Sequence, residues 1–126
     1  MRKEESRLKK VVVGGQIDKQ EIKALLEKLG EGKLDIEVKS DLDAAMAMKA
    51  GQYDYYIGAC NTGGGGALAM AMAMLGAEKC ATVSMPGNIK DEAFIRGEFA
   101  KGKVAFGFTA QHKDIVLPIL VDEILK

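Results

Sequence analysis

Tyr53-Asp-Tyr-Tyr-Ile-Gly-Ala-Cys60-Asn-Thr-Gly63-Gly-Gly-Gly66-Ala-Leu-Ala-Met-Ala-Met-Ala-Met-Leu75-Gly76 is the stretch that decides the fold. Its first part, Tyr53 to Ala59, is aromatic and apolar and reads as a strand. Four consecutive glycines follow Cys60, Asn61 and Thr62. The Ala/Met run after them alternates with period two, but Ala and Met are strong helix formers and no β-branched residue interrupts them, so a helix is expected over 67–75, stopped by Gly76. Strand, glycine turn and helix make one βα unit.

The same unit repeats on either side. Val11 to Val13 is a β-branched run that ends at Gly14-Gly15, and Ile22, Leu25, Leu26 and Leu29 after it fall at helical spacing. Leu34, Ile36 and Val38 alternate with Asp35, Glu37 and Lys39, the pattern of a strand with one wet face near a sheet edge. Ser40 or Asp41 can cap a helix that stops at Gly51. Cys80 to Ser84 reads as a fourth strand closed by Pro86-Gly87, Asp91 to Lys101 as a fourth helix, Val104 to Phe108 as a fifth strand, and Thr109 or Asp114 as the cap of a last helix. Five strands alternating with five helices predict an α/β chain of Rossmann-like type: a three-layer α/β/α sandwich around a five-stranded parallel sheet of order 2-1-3-4-5.

The 126 residues suit a single domain over 1–126, with 1–10 as a charged lead-in. Eighteen basic and eighteen acidic side chains cancel, leaving no bulk field for nucleic acid or an anionic membrane. With 48% hydrophobic and 29% charged residues the chain can bury a core. The longest apolar run, 67–75, is less than half the roughly 20 residues needed to span a bilayer, and the charged start does not read as a signal peptide, so neither membrane insertion nor export is expected. The expected compartment is the cytoplasm, with Cys60 and Cys80 as thiols.

In an open parallel sheet the ligand sits beyond the carboxyl ends of the strands, at the point where connections leave toward opposite faces. Here that places Gly14, Gly15 and Gln16 opposite Cys60, Asn61, Thr62 and Gly63, Gly64, Gly65 and Gly66. Glycines at a helix start let backbone N–H groups approach phosphate or carboxylate, although they also simply permit a tight turn. Cys60 beside a helix amino terminus is a base or nucleophile, or a packed thiol. Cys80 reads as packing. The cysteines are twenty positions apart with a single histidine in the chain, so no metal site and no cofactor are expected. His112, at the start of the last helix, either meets a ligand or faces solvent. The helix over 67–75 has no polar face; one side covers the sheet and the other meets a second surface, a homodimer being the simplest case.

The segments Asp41-Leu-Asp-Ala-Ala-Met46, Gly51-Gln-Tyr-Asp-Tyr-Tyr-Ile-Gly-Ala-Cys-Asn-Thr-Gly63 and Lys103-Val-Ala-Phe-Gly107 resemble the YhfU-like family of uncharacterised bacterial proteins. More distantly, Cys60-Asn61-Thr62-Gly63-Gly64-Gly65 resembles the Cys-Gly-Thr-Gly-x-Gly signature of ribose-5-phosphate isomerase B and galactose-6-phosphate isomerase. The second resemblance implies a dimeric doubly wound domain in which Cys60, with Thr62, serves proton transfer and the glycine-loop amides hold an enediolate, as in an aldose-ketose isomerase. It extends to Cys60, Thr62, Gly63 and Gly65. Asn61 replaces a glycine, Gly14-Gly15-Gln16 stands where those isomerases carry an Asp-His pair, and Glu98 to Lys103 lacks their His-Asn motif. The expected function is the binding of a small phosphorylated or carboxylated metabolite with Cys-mediated proton transfer. The alternative is a non-catalytic sensor, or a phosphocarrier like the sugar-transport IIB components, which place their cysteine after the first strand, where this chain has Gly14.

Overall fold

The computed structural model describes residues 8–61 and 64–126. The chain runs β1 (Lys9–Gly15), α1 (Lys19–Gly30), β2 (Leu34–Val38), α2 (Asp41–Lys49), β3 (Tyr55–Cys60), α3 (Gly64–Leu75), β4 (Cys80–Thr82), β5 (Ser84–Met85), β6 (Asn88–Ile89), α4 (Glu92–Ala100), β7 (Ala105–Thr109) and α5 (Lys113–Ile124). Val11, Val12 and Val13 are wholly buried, as a strand covered on both faces requires. β1 begins at Lys9, so the charged lead-in of the sequence reading is shorter than residues 1–10. Ser40 caps α2 by accepting from Asp43 N–H at 3.1 Å, and Asp91 caps α4 by accepting from Phe94 N–H at 2.8 Å.

Five strands form one parallel sheet in the order β2-β1-β3-β7-β4, with helices on both faces, so the expected Rossmann-like α/β class is correct. One detail of the expected order 2-1-3-4-5 is reversed: the last long strand, β7, lies inside β4. The reason is length. β7 is buried at all five positions and pairs with β3 through five residues, whereas β4 offers three residues and suits an edge. The stretch read as one strand over 80–84 divides after Thr82, because Ser84–Met85 turns back antiparallel onto Asn88–Ile89 around Pro86 and Gly87, the latter at φ +72°.

One face of the sheet packs on α1, α4 and α5 through Ile22, Leu26, Ile95, Leu117 and Leu120. The other packs on α2 and α3 through Ala44, Met48, Leu68 and Ala71. On that second face the register aligns Gly14, Gly58 and Gly107 in one row across β1, β3 and β7. A Cβ on Gly14 would stand 2.6 Å from the Tyr56 ring, one on Gly58 3.1 Å from the Ala67 carbonyl, and one on Gly107 2.6 Å from Leu68 Cγ. The row is a trough that receives Tyr56 and the beginning of α3. This close seat lets α3 start at Gly64, earlier than the helix over 67–75 expected from sequence.

Gly107→Ala is therefore expected to lower stability by about 1–3 kcal/mol through overpacking. Gly97→Ala, in α4 with nothing within 4 Å of its added Cβ, is expected to raise it by about 0.5–1 kcal/mol. Urea unfolding midpoints of the two variants check both signs.

Candidate functional site

The carboxyl ends of β1, β3 and β7 bring the candidate residues together in part. Gly15 turns the chain at φ +76°, and its N–H already donates to Tyr56 Oη at 3.0 Å and to Asp41 Oδ1 at 3.1 Å. Gln16 N–H donates to the Ala59 carbonyl at 2.9 Å. Both backbone amides are thus engaged inside the fold, and the Gln16 side-chain amide donates to the Gly66 carbonyl at 3.5 Å. A Cβ on Gly66 would lie 3.4 Å from both amide atoms of Gln16 and 3.5 Å from Cys60 Sγ. Gln16, Cys60 and the first turn of α3 therefore converge on one point. Asn61 is exposed just beyond Cys60. Gly64 and Gly65 begin α3, while Thr62 and Gly63 lie outside the described residues.

Cys60 pairs in register with Thr109, and neighbouring residues of parallel strands project to the same side, so both side chains face α3. Thr109 is 1% exposed, and among the described residues its Oγ1 makes no hydrogen bond. Leaving a buried hydroxyl unpaired costs about 1–3 kcal/mol. The Thr109 N–H donates to Ser84 Oγ at 3.0 Å, and His112 Nδ1 lies 3.0 Å from the same oxygen. His112 thus sits one strand away from Cys60, at the start of α5. Lys113 reaches Asp18 across the sheet end at 3.3 Å.

Asp41, Tyr56, Ser84 and Thr109 went unrecognised in the sequence. Asp41 read as a helix cap and Tyr56 as one aromatic among three, yet the Tyr56 hydroxyl contacts Asp41 Oδ1, the Gly15 N–H and the Ala67 carbonyl, the last at 2.9 Å. Burial, reinforced by the Asp41 carboxylate, pushes the Tyr56 phenol far above its ordinary value. The available signal was period two, which places Thr109 on the same face as Gly107 and level with Cys60 once the two strands are paired. Cys80, at the opposite end of the strands, packs beneath α3, and burial raises its thiol pKa. A depression of about 320 Å³ lined by Lys10, Asp35, Glu37, Gln52 and Tyr53 also lies at that amino end, away from Cys60. Among the described residues no three His, Cys, Asp or Glu side chains converge as metal ligands, and no helix is long and apolar enough to cross a membrane.

Residues 9–124 match the family described as Protein of unknown function DUF2620. The chain belongs to that family. It is 39% identical over 117 residues to the uncharacterized protein YhfU of Escherichia coli strain K12, covering 93% of this chain and 99% of that relative. The YhfU proteins of Escherichia coli O6:H1 and Shigella flexneri match with the same identity and coverage. These matches bear out the nearer resemblance, and they span the whole site: Gln16, Tyr56, Cys60, Ser84, Thr109 and His112 all fall within the family segment.

Tyr56→Phe is expected to cost about 1–3 kcal/mol, because Gly15 and Ala67 lose a buried partner. Above the ordinary tyrosine value near 10 the unfolded chain loses its phenol proton while folded Tyr56 keeps it, so stability falls as pH rises. This contribution is at most about 1.4 kcal/mol per pH unit, and the variant lacks it. Denaturant titrations of both proteins between neutral and strongly alkaline pH check the difference in slope.

Proposed function

We propose that this member of the family binds a small phosphorylated or carboxylated metabolite at the start of α3, in the cytoplasm, and that Cys60 transfers a proton on it. The observation that carries the reading is the buried Thr109 hydroxyl beside Cys60. A polar group held dry and unpaired is favourable only when something else completes it, and here it adjoins a helix start whose first N–H groups have no partner within the helix. The helix dipole adds to the attraction for an anion, and Gly66 adds no side chain of its own between Gln16 and Cys60, so a ligand would have to displace only the Gln16 amide from the Gly66 carbonyl. In the chemistry proposed, Cys60 Sγ acts as the base that takes the proton from the hydroxyl-bearing carbon beside a carbonyl and returns it to the carbonyl carbon, the hydroxyl proton passes to the former carbonyl oxygen, and the α3 amides hold the two oxygens of the enediolate between the steps. Homodimerisation belongs to the same proposal. Leu42 and Met46 on α2 and Met70 and Met72 on α3 are four of the eight exposed large hydrophobic side chains among the described residues, and the two helices pack side by side.

Inorganic phosphate is expected to raise the melting temperature of the protein. Thr109→Val, nearly the same shape without the hydroxyl, is expected to keep or raise stability while weakening phosphate binding about tenfold. Gly66→Val fills the approach and is expected to abolish binding. Cys60→Ser is expected to retain binding and lose exchange of substrate carbon-bound protons with solvent. Thermal-shift titration with phosphate is the check, and Thr109→Val protein that binds phosphate undiminished would remove the basis of the reading.

The double change Met46→Lys with Met72→Lys is expected to give a folded monomer. Sedimentation equilibrium at matched concentrations decides this, and a dimer that survives both charges places the interface elsewhere.

A further inference from the structure

His112 is the single histidine of the chain, and its environment differs from that of a solvated surface imidazole. Its Nδ1 lies 3.0 Å from the hydroxyl of Ser84, a residue with no solvent exposure. The same Oγ accepts the Thr109 N–H at 3.0 Å. Among the described residues these are the two hydrogen bonds of Ser84 Oγ, and they restrict where the protons sit. The Thr109 N–H can only donate, which leaves Ser84 its own hydrogen to place. Were His112 also to donate through Nδ1–H, the Ser84 hydrogen would be buried without an acceptor, at the cost of an unpaired polar group. Ser84 therefore donates to Nδ1, and a neutral imidazole that accepts at Nδ1 carries its proton on Nε2.

We propose that Ser84 is a positioning residue that locks His112 in its Nε2–H tautomer, so that the neutral ring offers a fixed donor to a carbonyl, carboxylate or phosphoryl oxygen of the bound metabolite. This rests on the metabolite-binding reading above for the identity of the acceptor, but not for the tautomer. The placement is consistent: Thr109 supplies both the backbone N–H that anchors Ser84 and, beside Cys60, a buried hydroxyl that is unpaired among the described residues. A single strand end thus links the imidazole to the proposed anion site. The arrangement differs from a serine nucleophile with its base, because Ser84 is wholly buried and its oxygen is already occupied by a backbone N–H.

Because the chain has one histidine, protein labelled with nitrogen-15 histidine gives a single pair of ring signals. In alkaline solution without ligand, the wild-type spectrum is expected to show Nε2 protonated and Nδ1 bare. Ser84→Ala is expected to give a mixture of tautomers, and Ser84→Thr, which keeps the hydroxyl, to preserve the wild-type form. A wild-type spectrum with the proton on Nδ1 overturns the proposal without any variant, and so does folded Ser84→Ala protein that keeps the single tautomer. Saturating inorganic phosphate is expected to move the Nε2 signal, and Ser84→Ala to weaken phosphate binding about fivefold, the loss of one neutral hydrogen bond. If phosphate perturbs the α3 amides but leaves Nε2 unmoved, His112 has no part in the site and the proposal falls. If phosphate perturbs neither, the anion reading fails, and the ligand-free tautomer still decides for or against Ser84.

Discussion

The row Gly14, Gly58 and Gly107 is the constraint on which the rest of this structure depends. A sheet face carrying Cβ atoms at these positions would hold α2 and α3 away by roughly the depth of a methyl group. The Ala67 carbonyl and the Leu68 side chain could not then approach as they do. With no side chain on these three strand positions, α3 seats closely, its first turn stands over the carboxyl end of β3, and Gly66 comes within contact range of Gln16 and Cys60. The site is therefore a consequence of packing on the far side of the first helical turn. Glycine costs backbone entropy in a strand, and close helix approach offsets that cost here.

Tyr56 fills the trough beside Gly14 and turns a packing contact into a polar junction. One buried hydroxyl meets the turn after β1, the first residue of α2 and the first turn of α3. Three elements distant in sequence are thereby fixed relative to one another at the edge where the candidate residues collect. The two cysteines are both buried but lie at opposite ends of the sheet. Cys80 opens β4 at the amino end, packed under α3, while Cys60 closes β3 at the carboxyl end beside a helix start.

The polar groups at the carboxyl edge sort into two kinds. The Gly15 and Gln16 amides and the Tyr56 hydroxyl are satisfied within the fold and serve to hold it. Thr109 Oγ1 is not, among the described residues, and it lies level with Cys60. Among the described residues, one hydroxyl is thus held dry and unpaired while its neighbours are satisfied, which concentrates the local polar cost at one point. On the outer side of α2 and α3, exposed Leu and Met side chains mark a second departure from an ordinary surface.

Read by itself, the sequence determined the α/β class, because alternating period-two and period-3.6 segments survive any arrangement of the elements. It also marked the carboxyl end of β3, since a cysteine followed by four glycines stands out without tertiary context. Only the tertiary structure decided that β7 lies between β3 and β4, because two apolar strands with similar composition leave their neighbours open until paired lengths are compared. It alone aligned the glycine row and set Thr109 level with Cys60, since register across parallel strands depends on helices packed over them. The partners of Tyr56 and His112 were illegible for the same reason: Asp41, Ala67 and Ser84 are 15, 11 and 28 residues away from the groups they meet, and only the crossovers bring them into reach.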